Sequence, residues 1–198
     1  AQTMPILVAA IHAHNAYGAD IIMRILGDMH RALGAASYSA LGLGASAKTT
    51  EVRANAAEAL ASLVDRGMFD TTLFAKELYW LLDQHHVMAQ RIEQTFRDAA
   101  SISPLAGWRI MQVLEGILPA VGEVNRGGAL VQLLVQLAGE YGVSIEIPEV
   151  LRPKMKGSTV LAKSLRALEK LHPHPTELAE QARDQAQELL DQHRCAQP

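Results

Sequence analysis

Apolar residues recur every three or four positions along almost the whole 198-residue chain. Ile6, Ala10, Ala13, Tyr17, Ile21 and Ile25 form one such stripe. Val52, Ala56, Leu60, Leu63 and Val64 form another, and Leu73, Phe74, Leu78, Leu81, Leu82, Met88, Ile92 and Phe96 a third. This spacing lays one side of an α-helix against a core, whereas a half-buried strand alternates with period two. Only residues 143–147, VSIEI, alternate in that way, and five residues are too few to build a sheet. The 31 Ala and 26 Leu outnumber the 23 Val plus Ile, which also favours helix over strand. No βαβ pattern appears. The expected class is all-α, with antiparallel helix pairs stacked as an irregular α-solenoid or helical bundle.

Local signals place the boundaries. Residues 4–33 read as one long helix closed by Gly34. Residues 35–50 are small and glycine-rich and read as a short helix followed by a loop. Thr50 precedes a helix ending at Gly67, with Arg53 standing where a capping box would place Glu. Asp70 caps residues 71–100, as one helix or as two with a break near 84–86. Ser103 and Pro104 open the next, since proline at the first helical position loses no hydrogen bond. Asn125 is expected to cap the helix closed by Gly142, and residues 152–157 read as a polar linker. Ser158 is expected to cap a helix ending at a turn over 172–175, and Thr176 the last helix. With 49% hydrophobic residues the chain reads as a single helical domain, 1–198. Its parts are an atypical N-terminal helix and loop (1–50), a repeat core (51–142), a linker (143–157) and a C-terminal helix pair (158–198).

Charge narrows the setting. Asp20, Arg24, Asp28 and Arg31 interrupt the apolar N-terminal stretch, and no basic region precedes it. It therefore reads as neither signal peptide nor membrane anchor. The lone cysteine, Cys195, excludes a disulfide within the chain and points to a reducing, cytoplasmic setting. A net charge of -3 supplies no global basic field for nucleic acid.

Three stretches are alike: EVRANAAEALASLVDRG, NRGGALVQLLVQLAGEYG and STVLAKSLRALEKLHP. Each has small residues early and a leucine-rich stripe late. A weaker copy is HHVMAQRIEQTFRDA, and the copies recur at about the period of stacked helix pairs. The first resembles the second helix of a HEAT repeat. VLEGILPAVGEVNRGGALVQLLVQLAGEYG is similar to a whole HEAT-type helix pair turning at 123–126. The stretch 78–171 also resembles large bacterial helical-repeat proteins. The resemblance covers about half the chain. Gly127 and Gly128 depart from it, standing where bulkier residues are usual, and the first 50 residues lie outside it. It implies an α-solenoid used as a binding surface, with no catalytic residues and no cofactor.

Several patterns touch on chemistry. GLGASAKT approaches a phosphate-binding loop through Gly42, Lys48 and Thr49. Ala47 replaces the second glycine, however, and AASYSAL is a poor preceding strand, so a small-residue loop is the favoured reading. His12 and His14 would converge on a metal from a strand, but on a helix they diverge by about 200°. Of Asp83, His85 and His86, only the first and last share a helical face. The carboxylates of a di-metal bundle are missing, so no metal site is expected. HRALGAASYSALGL resembles histidine phosphotransfer modules but lacks the lysine after His30, and reads as a helix end. Cys195 lies in a polar tail and is a poor nucleophile. Trp80 and Trp108 are placed on apolar stripes, as core residues rather than a stacking platform.

One cluster of charge stands out: Arg152, Lys154, Lys156, Lys163, Arg166 and Lys170, against Glu169 alone in that span. It offers an edge to a nucleic-acid backbone or an acidic partner. The favoured reading is a solvated face compensated by Glu177, Glu180, Asp184, Glu188 and Asp191. The leading functional expectation is a non-catalytic interaction or scaffold module that binds another protein. The alternatives are nucleic-acid binding through 152–170, and a nucleotide- or metal-dependent enzyme.

Overall fold

The computed structural model describes residues 35–195 apart from 66, 68 and 85. The long helix expected over 4–33, with His12, His14 and His30, lies outside the described residues, as does His85. The α-helices are α1 (Ala35–Ala45), α2 (Thr50–Asp65), α3 (Thr71–Gln84), α4 (His86–Ala100), α5 (Pro104–Val121), α6 (Gly128–Glu140), α7 (Val160–Glu169) and α8 (Glu177–Cys195). Two 3-10 segments, Asn125–Gly127 and Glu149–Lys156, join them, and no strand occurs among the described residues. The chain is all-α.

Side-chain caps start four of these eight helices. The Asp70 carboxylate accepts the amides of Thr72 and Leu73 at 2.9 and 3.0 Å. Ser103 Oγ accepts the Ala106 amide at 3.1 Å ahead of Pro104. Thr176 Oγ1 accepts the Ala179 amide at 3.2 Å. Each accepts an amide that has no partner in the first helical turn. Gly67 and Gly142, at φ 65° and 64°, follow α2 and α6 in the left-handed conformation that closes helices.

Three expectations shift. Thr159, not Ser158, caps α7, accepting the Ala162 amide at 3.1 Å. Asn125 caps nothing with its side chain; it opens a 3-10 turn, and α6 starts only at Gly128. The expected polar linker is pinned: Leu151 is fully buried in the 3-10 segment, and Ile145 and Ile147 are buried ahead of it. Arg53, in place of a capping-box Glu, turns back and donates to the carbonyls of Ala47 and Lys48 at 2.8 and 2.9 Å.

The helices pack as stacked pairs. α1 lies on α2, α3 on α4, and α5 on α6; α1, α3 and α5 follow one another in one layer, and α2, α4 and α6 in the other. In a simple solenoid each pair meets only its neighbours. Here α5 also packs on α2, a pair away, as well as on α4, and α8 covers it from outside. The stack is thereby folded around α5, an irregular solenoid closing into a bundle. α5 is built for this place, with Ile110, Met111, Val113, Leu114, Ile117 and Leu118 all buried.

One buried set of side chains runs from Tyr38 to Ala182. Its aromatic knot joins α1, α3 and α4. Phe69 meets Tyr38 edge-on at 5.4 Å and Phe74 at 5.0 Å, and Phe74 lies against Phe96 at 6.0 Å. Such offset and edge-on geometries suit the ring quadrupole.

Candidate docking groove

The Leu78–Leu82 stretch is LYWLL, five large apolar or aromatic residues in succession. A helix can turn only part of its circumference to a core. In α3 the inward side is taken by Phe74, Leu78 and Leu82, all fully buried. Trp80 follows Leu78 by two residues, about 200° around the helix, and therefore points away. Its relative exposure is 69%, and that of neighbouring Tyr79 is 40%. The expectation that Trp80 belongs to the core is thus corrected. The apolar run was the signal, being wider than one buried face. Trp108 is half-buried, edge-on to Tyr141 at 5.6 Å.

Tyr79 and Trp80 do not stand alone. Together with Lys76 they form one wall of a groove of about 560 Å³, whose other walls are Pro119, Ala120, Glu123 and Val150. Val150 is 55% exposed, so three large apolar side chains meet solvent around one depression. The groove forms because the end of α5 lies beside α3, while buried Leu151 seats the 3-10 segment and leaves Val150 outward.

The basic cluster adjoins this groove but is not a uniform positive edge. Arg152 is paired with Glu149 at 2.7 Å and with Glu169 at 3.6 Å. Arg166 donates to the carbonyls of Met155 and Gly157, tying α7 to the 3-10 segment. Lys154 Nζ donates to the Glu123 carbonyl at 3.2 Å, which sets it beside the groove wall. Lys156, Lys163 and Lys170 are exposed. The acids that pair with Arg152 are local, whereas α8, which carries Glu177 to Asp191, packs on α5.

The phosphate-loop residues are not arranged as a cradle. Gly42 lies buried inside α1, and a Cβ there would approach Leu81 Cδ1 to 2.8 Å. The amides of Ser46 and Ala47 donate to the carbonyls of Gly42 and Gly44, so they are not turned to an anion. Lys48 is exposed, Thr49 is half-buried, and the turn is held by Arg53. Among the described residues no group of three or more His, Cys, Asp or Glu is placed to hold a metal ion. Burial raises the pKa of Asp65 while Arg109, 3.2 Å away, opposes the rise. That pair joins α2 to α5.

No family model matches the chain, and no curated protein or solved structure is significantly similar to it. Among the described residues no helix is long and apolar enough to cross a membrane.

Proposed function

We propose that the chain is a non-catalytic, helical-repeat interaction module that binds another protein through the Trp80 groove. The observation that carries this reading is the outward indole of Trp80 beside Tyr79 and Val150. Tryptophan and tyrosine are enriched among the few residues that carry most of the binding energy at protein interfaces, once a partner buries them. The stacked helix pairs accord with the HEAT-like reading of the sequence, in which such surfaces are the working part. A cytoplasmic setting remains part of the proposal.

A photo-crosslinking residue at position 79 tests it. The expected result is a discrete, nuclease-resistant protein adduct that Trp80→Ala abolishes, while the same probe at Glu177 on α8 yields none. Equal adducts from both positions, or none from position 79, would sink the reading.

A second reading is favoured by the exposure of Lys156, Lys163 and Lys170 beside Lys154. These lysines would hold a nucleic-acid backbone, with an affinity that falls steeply as salt is added. Salt-dependent oligonucleotide binding that is lost on changing Lys154, Lys156 and Lys163 to Glu supports it. No binding at low salt ends it.

A further inference from the structure

Helix α8 lies across α5 on alanines. Ala179, Ala182 and Ala186 line one side of a cleft of about 310 Å³ whose opposite side includes Leu105 and Trp108. Protein interiors rarely leave space larger than a water molecule unfilled. Here the seat of α8 has short side chains opposite an indole, so the space stays open. Ala182 is nonetheless buried, and Gln185 Oε1 accepts the Leu105 amide at 3.0 Å, so the helix is anchored beside the cleft.

The polar groups at this cleft are Arg109, Gln112 and Arg183. Arg109 is occupied: it donates to the carbonyls of Val64 and Asp65 and pairs with the Asp65 carboxylate. Arg183 is exposed, and among the described residues no hydrogen bond or ion pair engages its guanidinium. An apolar slot thus opens beside one uncommitted cation whose planar fork suits a carboxylate.

We propose that the cleft between α5 and α8 binds a small amphipathic carboxylate, its tail against Trp108 and its carboxylate on Arg183. The volume falls at the small end of ligand pockets, about 300–1,000 Å³, which favours a medium-length tail over a bulky ligand. One free guanidinium and one amide match a single monoanion better than a phosphate chain. This site is separate from the Trp80 groove, and its test is independent of the docking proposal.

The probe is sodium decanoate, titrated below its micellar concentration into the Trp80→Phe protein, where emission from the described residues comes from Trp108. A saturable change in emission is expected, with neutral 1-decanol binding more weakly. Arg183→Gln is expected to weaken decanoate by about tenfold and to leave decanol nearly unchanged. Ala182→Leu, which fills the slot, is expected to abolish both signals, and Ala186→Leu on the half-buried side repeats that test with less demand on the seat of α8. No saturable signal, or equal decanoate affinity in Arg183→Gln, would overturn the proposal.

Discussion

The Tyr141 hydroxyl, just past the end of α6, donates a 2.6 Å hydrogen bond to the carbonyl of Pro104, the first residue of α5. It joins helix ends 37 residues apart in sequence while the Tyr141 ring packs edge-on against Trp108. Burial, with a smaller contribution from Glu140, pushes the phenol up to about 12, against a partial opposing effect from the backbone. The fold therefore favours the neutral phenol. A group with a raised folded pKa adds stability that is complete below its unfolded value, near 10 for tyrosine, and is lost as pH climbs towards the folded value. Urea midpoints should accordingly fall between about pH 10 and 12, and Tyr141→Phe should flatten that fall while lowering stability near neutrality. An equally steep alkaline fall in Tyr141→Phe would contradict this. Tyr38 is raised in the same direction by burial and retains a share of the effect.

The two left-handed glycines separate backbone strain from steric exclusion. Gly67 and Gly142 have nearly the same φ, but a Cβ at Gly67 meets open space, whereas one at Gly142 collides with the His174 carbonyl. Gly67→Ala should cost about 1–2 kcal/mol from the left-handed backbone alone. Gly142→Ala should cost more, because the His174 amide also bonds to Gly142 O at 2.9 Å and this contact leads the chain into α8. Equilibrium denaturation of both variants, with amide exchange along α8, provides the check. Equal losses would show that the approach of His174 is easily relieved.

Phe74 and Trp80, six residues apart on α3, should behave oppositely. Phe74 is fully buried in the aromatic knot, so Phe74→Ala should remove about 3–5 kcal/mol. Trp80→Ala should change stability by no more than about 0.5 kcal/mol, as expected for a side chain outside the core. Calorimetric unfolding of the two variants measures the contrast, and a strongly destabilised Trp80→Ala would move that indole from partner binding to folding.

Within the basic cluster, Arg166 and Lys163 are expected to divide structure from surface. Arg166→Ala removes two carbonyl contacts that pin the 3-10 segment and should cost about 1.5–3 kcal/mol. Lys163→Ala on the exposed side should be neutral within about 0.5 kcal/mol. Thermal melts at low and high salt test both, and the Arg166 effect should persist in salt because its contact with the Met155 carbonyl is partly buried.

The caps at Asp70, Ser103 and Thr176 were legible because each uses a side chain on an amide two or three residues away, whereas the pattern over 71–100 left one helix or two open and the structure has two. Asn125 was misread because a 3-10 turn and a capped helix begin with similar residues. The short linker at 152–157 looked free because its anchors, Leu151 and the Arg166 guanidinium, act through distant partners.

Trp80 shows the same division at the candidate site. Five consecutive large apolar residues were visible, but which of them faces outward depends on the packing of α3 against α1 and α5. The basic residues could be counted, whereas their long-range pairing could not: Glu149 meets Arg152 three positions away within the 3-10 segment, but Glu169 reaches it only after that segment has folded onto α7. The cleft beside Trp108 had no local signature, since the alanines of α8 and the α5 face they oppose are some 70 to 80 positions apart.

By itself the sequence determined the all-α class, most helix starts and the closing glycines, because hydrophobic period, caps and left-handed turns are interactions within a few residues. That α5 would be the central helix, that Trp80 would stay outside, and that Arg183 would stand uncommitted beside an open slot emerged with the packing of the helices. These depend on which surfaces meet across long stretches of chain, and burial and pairing are settled by that meeting.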